Sequence, residues 1–239
     1  MLTLRLEKRC KMNSWSRIDA LTKMRKYGVI PTISGLKARD YLFVAEAIEN
    51  AGLPITELCF RSGIPAKEIL DAVYKLRSKT SKTDMLVGCG TINTPQLAQD
   101  AINAGAQFLA SHFVDEKIIA VANENCILIT PGARTELEVA IALRAGCLAV
   151  KILLPFGEEK HRLQFFKTIS SLFPLAILFP TMGMTPENLG EYLKAGAPFV
   201  ATSTPVIMPE EAVKKRDWNK IGEAAKKYLE AVQKARARA

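Results

Sequence analysis

Short apolar runs rich in β-branched residues alternate along this chain with longer stretches whose apolar positions recur every three or four residues. The first pattern predicts buried strands and the second predicts amphipathic helices. Helical periodicity is clearest over 41–50, 95–104, 135–145 and 186–194. The predicted strands are 29–33, 55–61, 85–91, 108–113, 126–131, 149–154, 176–181 and 199–204. Eight strands separated by helices indicate parallel pairing, so we expect an α/β fold, a single (β/α)8 TIM barrel ending in a basic C-terminal helix.

A weak internal repeat supports a closed barrel over an open sheet. The dipeptide Ala-Gly ends a predicted helix four times, and its glycines are separated by 53, 41 and 50 residues. Glycine just past a helix adopts the left-handed conformation without steric cost. Each interval matches about two strand–helix units, so the four glycines would introduce the second, fourth, sixth and eighth strands.

Length and composition are those of one globular domain. The chain has 239 residues, of which 49% are hydrophobic and 24% charged, and no apolar run is long enough to span a bilayer. We interpret residues 1–15 as an N-terminal extension and 16–239 as the barrel with its C-terminal helix. The extension lacks the apolar core of a secretion signal, and the five cysteines match neither a zinc site nor a disulfide framework. We therefore expect a cytoplasmic protein that does not bind membranes.

The net charge of +9 is concentrated at the two ends of the chain. Residues 1–26 hold eight Lys or Arg against two acids, and residues 214–239 hold nine against three. The remaining residues carry a net charge of −3. Because no basic strands interleave with aromatic residues, the excess is interpreted as solvated surface, and nucleic-acid binding is not predicted.

One lysine and two other charged residues interrupt otherwise apolar predicted strands. Lys151 lies within the run Leu-Ala-Val-Lys-Ile-Leu-Leu, and Glu57 and Arg61 lie on the second predicted strand. Burial disfavours the ammonium form of a lysine, which makes an uncharged amine available to attack a ketone and form a Schiff base. The chain has only two histidines, without metal-ligand spacing, so we expect no metal and no cofactor.

Barrel enzymes carry their chemistry at the carboxyl ends of the strands. Seven candidate residues fall at this end of five predicted strands. They are Glu57, Arg61, Thr91, Lys151, Thr181, Gly183 and Ser203.

These residues lie in segments that together resemble the class I aldolases acting on 2-keto-3-deoxy-6-phosphogluconate (KDPG) and 4-hydroxy-2-oxoglutarate (KHG). The resemblance covers about residues 20–225. Its segments, in order, are Glu57-Leu-Cys-Phe-Arg61, Val87-Gly-Cys-Gly-Thr91, Gly105-Ala-Gln-Phe108 with Ser111, Pro131-Gly132 before Thr135-Glu136-Leu137, Val150-Lys151, Pro180-Thr181-Met-Gly183 with Pro186-Glu-Asn188, and Ser203.

The resemblance implies a role for each candidate. Lys151 would form the Schiff base with a 2-keto acid, and Glu57 would move protons. Arg61, Thr91 and Thr181 would hold the pyruvate carboxylate. Gly183 and Ser203 would present loops to a distal phosphate. The products would be pyruvate and either glyceraldehyde 3-phosphate or glyoxylate. The resemblance also implies a homotrimer.

Three departures from the family pattern lie in the segments that carry the resemblance. Three residues rather than two separate Lys151 from Pro155, and an aromatic wall of the pocket is missing. Met182 replaces a glycine of Thr-Gly-Gly, and residues 201–203 read Ala-Thr-Ser where the family has Gly-Gly-Ser. His112 replaces a proline after the fourth strand. The lost glycines favour a short or unphosphorylated substrate, because glycine lets backbone N–H groups approach a phosphate closely.

Other interpretations remain open from the sequence. Lys151 could have a structural role, with its ammonium group reaching out of the barrel mouth. Glu57 and Arg61 could form a structural ion pair. At the level of function, the alternatives are another TIM-barrel sugar-phosphate enzyme and a catalytically silent barrel that binds a metabolite or a partner protein.

Overall fold

The first described helix is fixed by its N-terminal cap. The computed structural model describes residues 15–61, 63–80, 84–202 and 204–237. Helix α1 (Arg17–Tyr27) follows Ser16, whose hydroxyl accepts from the Asp19 N–H while the Asp19 carboxylate accepts from the Ser16 N–H. This reciprocal cap satisfies two of the backbone donors that a helix start leaves unpaired. The boundary predicted between residues 15 and 16 adjoins residues outside the description and stays a prediction.

All eight predicted strands are present. They are β1 (Val29–Ile30 and Thr32–Ile33), β2 (Ile55–Cys59), β3 (Leu86–Gly90), β4 (Phe108–Ala110), β5 (Leu128–Thr130 and Gly132–Ala133), β6 (Ala149–Leu153), β7 (Ile177–Thr181) and β8 (Val200–Ala201). Several end earlier than their apolar runs predicted, because the residues beyond them leave the hydrogen-bonded ladder to line the barrel mouth.

The helices alternate with the strands as predicted. They continue as α2 (Ala38–Asn50), α3 (Ala66–Thr80), α4 (Pro95–Asn103), α5 (Glu116–Glu124), α6 (Glu136–Arg144), α7 (Glu159–Leu172), α8 (Leu189–Lys194), α9 (Thr204–Ile207), α10 (Glu210–Lys215) and α11 (Trp218–Arg236). Helix α8 starts three residues later than the pattern indicated. The preceding segment is a turn in which the Thr185 N–H donates to the Asn188 side chain, at 2.9 Å.

The strands form a parallel (β/α)8 barrel with two proline interruptions. The first half of β1 pairs with β8 and its second half with β2; the two halves of β5 likewise pair with β4 and β6. Pro31 and Pro131 stand at the breaks, where a residue without an N–H is tolerated. Their carbonyls still accept from the Glu57 and Lys151 N–H groups, at 2.8 and 2.9 Å. The ladder therefore continues through both breaks.

Side-chain packing joins the last two strands. Among the described residues, no ladder pairing links β7 to β8. Phe179 of β7 and Phe199, just before β8, instead pack with ring centroids 4.6 Å apart. Within the described part of the chain this is the one junction that lacks ladder hydrogen bonds, and the aromatic pair fills the barrel interior there.

The amino-terminal end of the barrel is closed by an apolar layer. Residues of α1 pack against inward-facing side chains of the strands, in a cluster that contains Ala20, Leu21, Met24, Ile55, Leu86, Phe108, Leu128, Ala149, Phe179 and Phe199. A larger cluster between the strands and the outer helices forms the second core. Because the lower end is filled, the interior opens to solvent only at the carboxyl ends of the strands.

The basic helix α11 is part of the outer coat. Its buried residues include Ile221, Tyr228 and Val232, and the Tyr228 hydroxyl donates to the Met184 carbonyl at 2.6 Å. Arg236 donates to the carbonyl of Lys26 at 2.7 Å, which ties the end of the chain to α1. Within the ranges that the structure describes, no helix is long and apolar enough to cross a membrane.

Gly88 should be required for strand packing, since a Cβ there would overlap the ring of its ladder partner Phe108. Gly88→Ala is expected to lower the free energy of unfolding by about 1–3 kcal/mol through overpacking. Urea denaturation measures this change. Gly190→Ala is the matched control: its nearest neighbour would lie 3.5 Å away, so a change within about 1 kcal/mol is expected. Equal destabilisation by both substitutions would contradict the packing argument.

Candidate active site

A cavity of about 320 Å³ opens at the carboxyl ends of the strands. This volume lies at the lower end of the range usual for small-molecule sites. Side chains from β2, β6 and β7, together with the loops that follow the strands, line it. Five of the seven candidate residues contribute to this lining, namely Glu57, Arg61, Lys151, Thr181 and Gly183.

Lys151 points into the barrel because side chains alternate along β6. Val150 and Ile152 belong to the outer core, whereas Ala149 belongs to the inner layer. The two-residue period places Lys151 on the inner side above Ala149. The residue is 4% exposed and lines the cavity. Its side chain therefore lies within the barrel mouth rather than reaching past it to open solvent.

Glu57 occupies the equivalent inner position of β2. It is 3% exposed, and the Cys59 thiol donates to its Oε1 atom at 3.3 Å. Gly90 of β3 leaves the space that this carboxylate fills, because a Cβ at position 90 would overlap the Oε1 atom. Burial and the carboxylate neighbour together raise the pKa of the Cys59 thiol. Cys59 is thus a neutral hydrogen-bond donor to the carboxylate.

Arg61 is exposed at the rim and approaches His112 rather than Glu57. Its Nη2 atom lies 3.5 Å from His112 Nε2. Among the described residues, no ion pair joins Glu57 and Arg61, so the interpretation as a structural pair is not supported. Because a guanidinium only donates, the contact requires His112 Nε2 to be the acceptor.

His112 is a neutral imidazole held among cations. Burial, together with the positive charges of Lys151, Arg61 and Arg134, lowers its pKa to about 4. The side chain lines the cavity. In the sequence, His112 was noticeable because it replaces a proline of the family pattern. The structure places its imidazole beside Arg61, the residue predicted to bind the substrate carboxylate.

The end of β7 adopts a left-handed turn in spite of its methionine. Thr181 is buried and lines the cavity, and both Met182 and Gly183 have a φ of 73°. Such a φ costs a non-glycine residue about 1–3 kcal/mol. Two guanidinium groups hold the turn: Arg162 donates to the Met182 carbonyl, and Arg134 Nη2 lies 3.8 Å from the Met182 sulfur. The backbone shape that glycine favours is retained.

Two candidates are not placed at the cavity. Thr91 follows β3 with a φ of 60°. Its buried hydroxyl has no hydrogen-bond partner within the described ranges, and the residue does not contribute to the lining. Ser203 lies outside the described residues. Their assigned roles therefore stay predictions.

Several lining residues were not identified from the sequence. Phe156, the residue after Pro155, contributes an aromatic side chain to the outer edge of the cavity, where it is 90% exposed. Thr32, Thr202 and Arg162 also line the cavity. Lys151 was identified because it is a charged residue within an apolar strand. Thr32, Thr202 and Arg162 do not show this pattern.

The arrangement suits chemistry by a protein amine. A buried lysine, a buried carboxylate and a guanidinium surround one cavity. Within the described residues, no group of three or more His, Cys, Asp or Glu side chains is placed to hold a metal ion. The sequence profile described as "KDPG and KHG aldolase" matches residues 20–224.

The chain belongs to the KDPG and KHG aldolase family. The 2-dehydro-3-deoxy-phosphogluconate aldolase of Haemophilus influenzae is 26% identical over 92% of this chain and 100% of that protein. The KHG/KDPG aldolase of Escherichia coli is 24% identical over 92% of this chain and 98% of its own length. A solved KDPG aldolase of Legionella pneumophila, with pyruvate captured as a covalent carbinolamine, superposes with a TM-score of 0.74 at 28% identity, covering 87% and 96% of the two chains.

Membership of the KDPG and KHG aldolase family makes the chain a lyase and agrees with the barrel architecture. The alignments extend over nearly the full length of each relative. The predicted family, enzyme class and fold are therefore confirmed. The roles of the individual site residues stay predictions.

The His112 imidazole of this aldolase should titrate with a pKa of about 4. Because the unfolded chain binds this proton at higher pH than the native state does, His112 should contribute stability above pH ~6.5 that is lost as the pH falls towards 4. Side-chain NMR titration measures the pKa. Lys151→Met should raise it by removing a neighbouring charge. Lys194→Met, at the opposite end of the barrel, should leave it unchanged, and a wild-type pKa near 6.5 would contradict the proposed environment.

Proposed function

We propose that this protein is a class I aldolase that cleaves a 2-keto-4-hydroxy acid into pyruvate and an aldehyde. The observation that carries the proposal is the placement of two buried inward-facing side chains, Lys151 and Glu57, on the lining of one cavity. The relatives described above are named for substrates of this class. The substrates considered are KDPG, which would give glyceraldehyde 3-phosphate, and KHG, which would give glyoxylate.

The first half of the reaction forms an electron sink. The Lys151 ammonium loses a proton and the resulting amine attacks C2 of the keto acid; Glu57 carries this proton to the carbinolamine hydroxyl, which leaves as water and gives a protonated imine. Glu57 then accepts the proton of the C4 hydroxyl. The C3–C4 bonding electrons move into the iminium group, which releases the aldehyde and leaves an enamine on Lys151.

The second half returns both residues to their starting state. Glu57 delivers its proton to C3 of the enamine, and water hydrolyses the resulting imine to free pyruvate. One carboxyl group thus acts first as a base and then as an acid. The Cys59 thiol, which donates to Glu57 Oε1, holds the carboxylate in place through both steps.

The carboxylate of the substrate is assigned to Arg61 and to the nearby threonines. A guanidinium binds a carboxylate through two parallel hydrogen bonds, which fixes the reacting carbon. His112 Nε2 accepts from Arg61 Nη2 at 3.5 Å. Thr181 lines the cavity, and Thr91 has a buried hydroxyl without a partner among the described residues. We assign all three, Arg61, Thr91 and Thr181, to the pyruvate carboxylate.

Borohydride reduction in the presence of pyruvate tests the imine. Trapping should add about 72 Da, the mass of a reduced pyruvyl group on an amine, and peptide mapping should locate it at Lys151. Lys151→Ala should abolish the adduct while the protein stays folded. A well-folded wild-type protein that gives no adduct would exclude the aldolase mechanism and favour a catalytically silent barrel.

Glu57→Gln separates proton transfer from amine chemistry in the same assay. Loss of the acid–base group should lower kcat by about 10²- to 10⁴-fold. Cys59→Ser is the matched control, since a hydroxyl also donates to the carboxylate, and it should retain most of the activity. Unchanged turnover in Glu57→Gln would remove Glu57 from the mechanism.

We further propose a homotrimer in the cytoplasm, as the family resemblance implies. Sedimentation equilibrium measures the first part. The expected mass is that of three chains of 26.3 kDa, and a single-chain mass would contradict it.

A further inference from the structure

A second guanidinium lines the cavity at the side opposite Arg61. Arg162 lies in the first turns of α7, after β6, and contacts the loop that follows β7. Arg61 follows β2, which stands three strands away from β7 around the barrel. A substrate bound to Lys151 on β6 therefore has one arginine towards its keto-acid end and another towards its far end.

Arg162 is held firmly without using all its donors. Its side chain is 13% exposed, its Nη1 atom donates to Glu159 Oε2 at 2.9 Å, and its Nη2 atom donates to the Met182 carbonyl. These bonds occupy two of the five N–H groups of a guanidinium, and neither contact uses the other three. The group is oriented before any ligand arrives, so little side-chain entropy is lost on binding.

A network behind Arg162 fixes its partner Glu159. The Tyr192 hydroxyl donates to Glu159 Oε1 at 2.5 Å, and the Asn188 side chain donates to Glu159 Oε2 at 3.0 Å. Asn188 also donates to the Gly183 carbonyl at 2.9 Å. The guanidinium and the Met182–Gly183 turn are therefore parts of one hydrogen-bonded unit.

Gly183 is required for the packing of Arg162 as well as being a candidate for phosphate binding. A Cβ at this position would lie 2.7 Å from Arg162 Nη2. The absence of a side chain at Gly183 thus makes room for the guanidinium. The turn is shaped around Arg162, although Met182 stands where the family has a glycine.

The charges lining the cavity suit a substrate with two anionic groups. Lys151, Arg61 and Arg162 are the basic lining residues, and Glu57 is the one acidic residue in the described lining. Arg61 is assigned to the carboxylate beside the keto group. The remaining guanidinium fork matches a phosphate or a second carboxylate.

We propose that Arg162 determines specificity by binding an anionic group at the far end of the substrate, beside the turn in which Met182 replaces a glycine of the family. This proposal rests on the aldolase function above. It assigns the substrate to the dianionic 2-keto-4-hydroxy acids, which include the short and unphosphorylated KHG, and it excludes a substrate whose far end is uncharged.

Substrates that differ only in the far group test the assignment. Cleavage of KDPG, of KHG and of 2-keto-3-deoxygluconate, which has an uncharged tail, is compared in the wild type and in Arg162→Gln. Loss of a charge-assisted contact should lower kcat/KM for the preferred anionic substrate by about 10- to 100-fold. The uncharged substrate should change less than about threefold. Whichever anionic substrate loses more identifies the far group as phosphate or carboxylate.

Arg134→Gln is the matched control. It removes the same charge from the same turn, where Arg134 contacts the Met182 sulfur, but Arg134 does not line the cavity. It should affect all three substrates alike. Arg162→Lys, which keeps the charge and loses the fork, should lie between the wild type and Arg162→Gln. An equal loss for all three substrates in Arg162→Gln would overturn the proposal and reduce Arg162 to a support of the turn.

Two readouts separate this proposal from the aldolase mechanism. Pyruvate trapping on Lys151 should be the same in Arg162→Gln and the wild type, because pyruvate has no far group. Calorimetric titration with inorganic phosphate and with glyoxylate needs no turnover. We expect the wild type to bind at least one of these anions, Arg162→Gln to weaken that binding about tenfold, and Arg134→Gln to retain it. This result would support the site even if trapping failed. Binding that is unaffected by Arg162→Gln, or no binding of either anion, would overturn it.

Discussion

The alternation of side chains along the barrel strands is the constraint on which the site depends. Inward positions near the amino-terminal end carry apolar residues such as Phe108, Phe179 and Phe199, which α1 covers. Two inward positions nearer the mouth carry Lys151 and Glu57. Burying these groups is costly unless they serve a ligand or find partners. The filled lower layer therefore confines the charged layer to a single opening, and the chemistry must occur there.

The cations around that opening explain the other features of the mouth. Lys151, Arg61 and Arg134 surround His112 and keep its imidazole neutral. A neutral imidazole accepts from Arg61 without adding to the positive charge. On the other side, Arg162 binds the Met182 carbonyl and stabilises a left-handed turn that a methionine disfavours. The site thus carries one guanidinium group on either side of the amine, and we assign the two anionic groups of the proposed substrate to them.

Most of the architecture was predictable because its signals are local. Seven of the eight strands lie within their apolar runs, and β5 continues two residues past its run, to Ala133; Thr94 and Thr135 cap helices at the predicted starts. Strand ends were less predictable, since apolar residues also line the mouth beyond the ladder. Glu57 and Lys151 were identifiable because a charge within an apolar strand is conspicuous. Arg162 was not, because a guanidinium in a helix that begins Glu-Lys-His-Arg resembles ordinary solvated surface.

The sequence alone determined the barrel, the family and the amine chemistry, because the two-residue period of a strand and its burial follow directly from the order of residue types. Tertiary structure alone decided which partners these residues meet. It placed Cys59 against Glu57, His112 against Arg61, and Arg162 beneath the Met182 turn. The last two contacts join residues 51 and 20 positions apart. Their geometry depends on the curvature of the closed barrel, which no local pattern encodes.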